Sequence, residues 1–514
     1  VAFYSERAAI EGGYHDVYSS DLSVAQSSKR SRGHQQISVT GSATPSVGMA
    51  FLVAWDATKD SFYLEAARRA GHALLRGQLC SGGWDYSIHL DPEKRIEYRY
   101  RQDVLVREPM DVESAGYTNL DNNSTQAAIR FLMRLDRELQ FVDAAIHEGA
   151  LFALRGLVKG QYPNGAWPQR YRSFPDRESY PVMVASFPGE WPRTWPGPVY
   201  YRYYTINDEC TLNMIDVLLE ANRIYANEAF LRAAFRGGEF LLLAQLPEPQ
   251  PAWAQQYNSM MQPVWGRQFE PPAVSGRESL DVIRTLLLLF RELGDARFLD
   301  PVPKALDYFE RSMLNEESGP ITESSRLARF YEMGTNRPLF LTKGTRLELQ
   351  TDPWRILDGY AITYDDSNTV SHYTLKIGAQ PLVSLRAEYE RVKSSSPEQL
   401  RRPSRLLSLT PWRYFSGTAD PSVELDQKVT QVLSEMDSRG AWVQPGEIGL
   451  TPRVLSVTAG ATLTLIVDGQ QIRVDPDQSI QLFQGTKAPI KEVVRSGTFN
   501  ANVRLLCEVL TVSD

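Results

Sequence analysis

The chain has 514 residues, 42% of them hydrophobic and 23% charged, and a net charge of −7. That is globular composition with ample material for a core, in the size range of one large repeat domain with an appendage. The acidic balance argues against a nucleic-acid partner, which calls for a basic surface, but leaves room for a local basic cleft that takes an acidic ligand.

No run approaches the roughly 18 apolar residues of a membrane span. The three cysteines, Cys80, Cys210 and Cys507, are too widely spaced to specify a disulfide framework or a zinc site. The opening VAFYSERAAIEGG lacks the basic-then-apolar pattern of a secretory leader.

In chain order, residues 1–45 are polar and rich in Ser and Gly, and read as a loose N-terminal arm. From 46 to 414 helical runs recur in pairs. The first run of each pair lies at 46–58, 124–139, 211–225 and 279–293. The second opens on an aromatic, at Phe62, Phe141, Phe230 and Phe298. Ala128, Phe131, Leu135 and Leu139 share one helical face, and Ile146, Ala150, Leu154 and Leu157 share another. A unit of this kind, recurring every roughly 70–90 residues, buries its apolar face only against stacked neighbours. The expected fold is therefore mainly α, an α/α toroid of helix-pair repeats.

A second pattern, Gln-x-x-x-Gly-x-Trp, closes the pairs: QLCSGGW at 78–84, QYPNGAW at 161–167, and more loosely AQLPEPQPAWAQQ at 244–256. Pro163-Asn164-Gly165 stops the helix and turns the chain. Trp167 is expected to plug between neighbouring repeats, and Gln161 to satisfy exposed backbone carbonyls. Residues 170–204, rich in Pro, Tyr and Trp, have no helical period and read as a functional insertion or lid. Its aromatics Trp191, Trp195, Tyr200, Tyr201 and Tyr203 suit either sugar stacking or the packing of the loop on itself. Over 415–514, apolar and polar residues alternate around a Val-Asp-Gly turn, which predicts a small β-rich C-terminal module.

The sequence has no HExxH, G-x-S-x-G or Walker loop. What remains are polar clusters at helix starts. YTNLDNNSTQ (117–126) carries Asp121 and Asn122, and YTINDECTL (204–212) carries Asn207 and Asp208. Asp and Asn in such places ordinarily cap helices. These two clusters, however, open the first helix of successive repeats, which brings both to one rim. Carboxylates with amide oxygens there suit Ca²⁺. Arg267 lies in WGRQFEPPAVSGRES (265–279), and Arg329 and Arg337 in RLARFYEMGTNRP (326–338). An isolated arginine is ordinarily a surface ion-pair partner. Arg267 and Arg337 on consecutive loops beside an acidic rim also suit bidentate recognition of carboxylates.

Together these motifs resemble polysaccharide lyase family ten, the pectate lyases with an α/α toroid fold. TNLDNNSTQAAIRFL, QYPNGAWPQ, TINDE, WAQQY (253–257), WGRQFEPPAVSGRES and ARFYEMGTNRP occur in the family's order between about 46 and 362. The resemblance implies that Asp121 and Asp208 hold calcium, that Arg267 is the Brønsted base, and that Arg337 grips a substrate carboxylate. Arg329, Asn122 and Asn207 are the further substrate contacts expected. The implied reaction is anti β-elimination in polygalacturonate: C5 loses its proton, the C4–O bond breaks, and a 4,5-unsaturated end remains. The resemblance also implies a secreted or periplasmic protein; a monomer acting on an acidic polysaccharide is expected. An arginine base would need a cationic, desolvated setting, since a free guanidinium keeps its proton.

The chain departs from the family's pattern near this rim. Gly82-Gly83-Trp84 is followed by Asp85-Tyr86-Ser87 where the family has Pro-Lys-Asn. Asp121-Asn122-Asn123-Ser124 replaces Asp-Asn-Gly-Ala, and Glu209-Cys210 replaces Asn-Ala after Asn207-Asp208. These changes leave methylated or other uronate polymers open as substrates. Gln-x-x-x-Gly-x-Trp also resembles the repeat of triterpene cyclases, which are toroids too, but their Asp-x-Asp-Asp acid is missing; Asp365-Asp366 is the nearest approach. A non-catalytic glycan-binding protein on the same fold is the remaining alternative.

Overall fold

A computed structural model describes residues 1–27, 31–106, 108–110, 112, 115–197, 199–314, 320–342, 360–367, 369–371, 373–395, 400, 424–448, 453–456, 463–467, 470–474, 479–482 and 490–512. Helices dominate them: α1 (Thr44–Thr58), α2 (Ser61–Leu75), the short α3 (Pro92–Arg95), α4 (Ser124–Glu138), α5 (Ala144–Gly160), α6 (Cys210–Tyr225), α7 (Glu228–Leu243), α8 (Gly276–Leu293), α9 (Pro301–Glu310), α10 (Gln380–Lys393), α11 (Glu424–Ser434) and α12 (Ser496–Val512). The four expected pairs are α1–α2, α4–α5, α6–α7 and α8–α9, and the members of each pack on one another.

The two helices of a pair have different jobs. In α4 every residue from Ser124 to Asp136 is buried, and in α6 every residue from Cys210 to Ala221. These are central helices, covered on all sides. In α2, α5 and α7 the buried residues form one stripe, and each begins on an Asp or Asn (Asp60, Asp143, Asn227) whose side chain accepts from an orphan backbone N–H. The central helices neighbour one another in the order α12, α1, α4, α6, α8, α10.

Short strands tie each pair at one end. The strand before the central helix pairs antiparallel with the strand after the outer one: Gln36–Ser38 with Ser87–His89, Thr118–Asn119 with Arg170–Tyr171, Tyr204–Thr205 with Gln256–Tyr257, and Val274–Ser275 with Phe330–Tyr331. Trp84, Trp167 and Trp253 are fully buried, and their indole N–H groups donate to the carbonyls of Leu74, Leu157 and Leu241, each at 2.8 Å. The glutamine joins adjacent repeats. Gln161 Nε2 donates to Gly165 O and, at 2.9 Å, to Ala233 O on the next outer helix; Gln78 reaches Gly149 O and Gln245 reaches Pro301 O in the same way. Gly165 is required where it stands. Its φ is +94°, and a Cβ there would meet the Arg236 carbonyl oxygen at 1.9 Å.

The two ends of the chain depart from expectation. The first 45 residues are not a loose arm. Phe3, Tyr4, Tyr14 and Tyr18 are buried, Tyr4 stacks on Phe499 with ring centroids 4.0 Å apart, and Val17–Ser19 pairs with Ile490–Arg495. The polar tally of this segment hid its aromatics, whose partners lie nearly the whole chain away. Residues beyond 415 do contain strands, including the antiparallel pair Leu463–Val467 and Gln470–Val474, but they also contain α11 and α12, and α12 packs on α1. The expected boundary at 415 and the Asp-Gly of the Val-Asp-Gly turn lie outside the described residues. Trp442 donates to Val432 O at 2.7 Å after Gly440 at φ +82°, repeating the Gly-x-Trp closure with Met436 in the glutamine's place. Gly12, at φ +86°, abuts the Arg69 carbonyl just before Gly13-Tyr14 and repeats the close approach of Gly165 to the next outer helix.

Candidate active site

The two polar clusters adopt the same turn. Asp121–Asn123 and Asn207–Glu209 are 3₁₀ turns leading into α4 and α6, and they touch each other. Each holds two successive left-handed residues: Asn122 (φ 51°) with Asn123 (57°), and Asp208 (50°) with Glu209 (58°). None is glycine, so the turns carry backbone strain of the kind that collects at functional sites. Neither α4 nor α6 receives a side-chain cap from its cluster. The ordinary reading of these residues as caps therefore does not hold.

Asp121 is buried; its Oδ2 accepts from the Tyr86 hydroxyl, while its Oδ1 is buried without a hydrogen-bond partner. Asp208 faces it. Burial, and then the charge of Asp121, push the Asp208 carboxyl well above the ordinary carboxylate range. Asp208 Oδ2 accepts from Arg267 Nη2 at 3.1 Å. Two carboxylates crowded together, one with an unpartnered buried oxygen, fit a hard cation. Among the described residues, no group of three or more His, Cys, Asp or Glu side chains is placed to hold a metal. A cation held there would have two carboxylates and would need its other oxygens from elsewhere.

Arg267 is clamped by a residue that the sequence reading missed. Glu270, 1% exposed, accepts from Arg267 Nε at 2.9 Å, from Nη2 at 2.5 Å and from the Arg267 backbone N–H at 2.8 Å. It also accepts from Asn207 Nδ2 and Tyr373 OH, each at 2.9 Å. Burial alone would lower the Arg267 pKa, but Glu270, followed by Asp208, outweighs it and holds the guanidinium above its ordinary value. The cationic setting expected for an arginine base is thus an anionic one here. An acid three residues after Arg267, just before Pro-Pro, was the available sequence signal.

The other expected residues are dispersed. Asn207 is buried and spends its amide on Glu270, Gln255 and the Asp208 N–H. Asn122 is exposed on the turn. Arg329 is buried in an ion pair with Glu278 at 2.7 Å and lies over the Tyr373 ring at 4.1 Å. Gln255 of WAQQY joins the two groups, donating to Asn207 Oδ1, Glu278 Oε1 and Tyr373 OH. Arg337 is not part of this network. It sits exposed at the turn before Pro338–Thr342, with its guanidinium over Tyr364 at 3.4 Å. A small cavity of about 220 Å³ opens between Asp208, Glu209, Arg277, Asp281 and Arg329.

The 170–204 insertion lies across this site. Trp191 donates to Pro272 O and Trp195 to Gly266 O, while Trp265 donates back to Pro192 O. The segment carrying Arg267 and Glu270 is thereby fixed from both sides. The motif departure after Trp84 has a structural consequence: Tyr86, standing where the family has lysine, is the hydroxyl donor to Asp121, and Arg170 lies over its ring at 5.5 Å. Asp365 and Asp366 are exposed, and Asp366 pairs with Lys376; they do not form an enclosed acid site.

Compared with known families, the sequence matches pectic acid lyase from residue 90 to residue 352, just over half of the chain. The chain belongs to the pectic acid lyase family. Solved structures similar to it include the family 10 polysaccharide lyase of Cellvibrio cellulosa (18% identity, 66% of this chain and 95% of that chain, TM-score 0.43). A mutant of that enzyme in complex with trigalacturonic acid aligns at 17% identity over 68% and 98% of the two chains, also with a TM-score of 0.43. The GH76 α-mannanase of Bacteroides thetaiotaomicron aligns at 8% identity over 91% and 86%, with a TM-score of 0.35. No curated protein matches. The pectic acid lyase match spans both acidic turns, the insertion and the Arg267–Glu270 segment. Among the described residues, no helix is long and apolar enough to cross a membrane.

Proposed function

We propose that this family member is a secreted lyase that cleaves a uronate polymer, polygalacturonate first among them, by β-elimination at the Asp121–Asp208–Arg267 cluster. We read its run of helix pairs as an α/α toroid with the cluster on one rim. The observation that carries the proposal is the placing of two crowded carboxylates and a half-buried arginine side by side, within the segment that matches the family. Asp121 and Asp208 would hold Ca²⁺, which when bound would draw electron density from a substrate carboxylate and make the C5 proton more acidic. Arg267 would receive that proton, and to do so it must first give up the proton it carries. Burial already works to strip it, and Glu270 and Asp208 hold it on. With Asp208 serving as a metal ligand, Glu270 is the principal charge left in opposition.

The experiment is incubation with polygalacturonate and Ca²⁺, following the ultraviolet absorbance of the unsaturated product. Chelator-sensitive product from the wild type, lost in Arg267→Lys, is the expected result. Wild-type turnover in Arg267→Lys would remove Arg267 from the base role. The clamp on Arg267 also favours a second reading, a protein that binds uronate chains without cleaving them. Binding by the wild type with no product from any uronate polymer would decide for it.

A further inference from the structure

A cavity of about 610 Å³ lies along the insertion, in the size range of ligand pockets, roughly 300–1,000 Å³. Its walls come from the two ends of the insertion, together with Arg99, Tyr117, Tyr162 and Pro168. Four arginines line it: Arg99, Arg170, Arg172 and Arg202. Among the described residues the one carboxylate in the wall, Asp176, is taken up by its own turn, accepting from Glu178 N at 3.2 Å and Ser179 Oγ at 2.8 Å. Guanidinium and aromatic groups alternate there. Arg172 lies over Tyr117 at 5.4 Å and Arg202 over Tyr201 at 5.6 Å. On a chain of net charge −7, such a concentration of positive charge is local and directed.

Arg170 connects this cavity to the cluster described above. Its backbone pairs with Asn119, two residues before Asp121. It is half-buried, its Nε is buried without a hydrogen-bond partner, and among the described residues the carboxylates that act on its charge are Asp121 and Asp85. A guanidinium in that position is a preformed seat for an anion, since an unmet buried donor costs about 1–3 kcal/mol. The ligand must therefore be anionic at intervals and must offer flat faces to the tyrosines. A chain of uronate rings meets both conditions: each ring brings a carboxylate for an arginine fork and a C–H face for an aromatic ring.

We infer that this cavity holds the uronate residues of the substrate that extend beyond the bond being cleaved, with Arg170 as the clamp nearest Asp121. The inference rests on the lyase reading and assigns the 170–204 insertion a role in gripping long chains. The test uses the full chain and the double variant Arg99→Ala/Arg202→Ala, neither residue touching Asp121, Asp208 or Arg267. Elimination is followed on polygalacturonate and on its trimer. On the polymer, KM is expected to rise about tenfold or more with kcat nearly unchanged. On the trimer, both constants should stay near wild type, and Arg99→Lys/Arg202→Lys should recover part of the polymer KM. An unchanged polymer KM, or equal losses on trimer and polymer, would overturn the inference. If the wild type makes no unsaturated product, the lyase reading fails by itself. Calorimetric titration with a long oligogalacturonate and with a neutral galactan then decides the cavity separately. Charged ligand bound by the wild type and lost in the double variant sustains it; equal binding of both ligands, or no binding, ends it.

Discussion

Glu278 and Arg329 show how a buried charge depends on its partner. Burial pushes the Glu278 carboxyl upward, but the Arg329 charge with hydrogen bonds from Ser275 and Gln255 outweighs it, and the pKa is lowered. A carboxylate with a depressed folded pKa contributes stability above its unfolded value, near 4.3, and loses it as pH falls through the folded one. In Arg329→Met the opposing charge is gone and burial dominates, so the sign reverses and stability should fall as pH rises above about 4.3. Melting temperature followed from pH 3 to 8 for both proteins checks this; parallel curves would refute it. Glu270 gives a second test at this scale. Glu270→Gln keeps the shape but removes the charge that holds the proton on Arg267. If Arg267 is the base, the rising limb of the elimination pH profile should move to lower pH in this variant. A profile that stays put would separate Glu270 from the titration of the base.

At the scale of the element, the repeat is held by its glutamine as well as by its tryptophan. Gln161 Nε2 serves two carbonyls on different repeats, and its Oε1 accepts from Arg236 at 2.7 Å. Gln161→Leu strands those groups and should cost about 2 kcal/mol in urea unfolding, the ordinary penalty for buried unpaired polar groups. Gly165→Ala should cost at least about 3 kcal/mol, since both its φ and the Arg236 carbonyl oppose a side chain. Helix pairs of this kind are legible in a sequence because their stripes are local, and α1, α4, α6 and α8 begin within about three residues of the expected runs. The buried polar network was not legible. Glu278 and Arg329 are 51 residues apart, and nothing local to either announces the other. Asp121 and Asp208 could be placed together because the repeat register did so. Arg337 could not be excluded from them, because the hairpin that carries it away is a departure from the repeat.

At the scale of the whole molecule, the two ends of the chain build one repeat between them. Ile490–Arg495 and α12 supply its strand and central helix; the turn Tyr4–Ala8, Gly12-Gly13-Tyr14 and the strand Val17–Ser19 supply the rest. Ser496 Oγ donates to His15 O, and Tyr4, Tyr14, Phe51 and Phe499 pack together across the junction. A repeat completed this way couples the first residues to the last, because neither half buries its apolar face alone. Tyr4→Ala removes a buried ring and should cost about 3 kcal/mol. The location of the damage tests the coupling. Amide hydrogen exchange should rise in 490–512 as much as in 1–19, while α4 and α6 keep their protection. Were the first residues an appendage, faster exchange would stop at residue 19 and leave α12 unchanged.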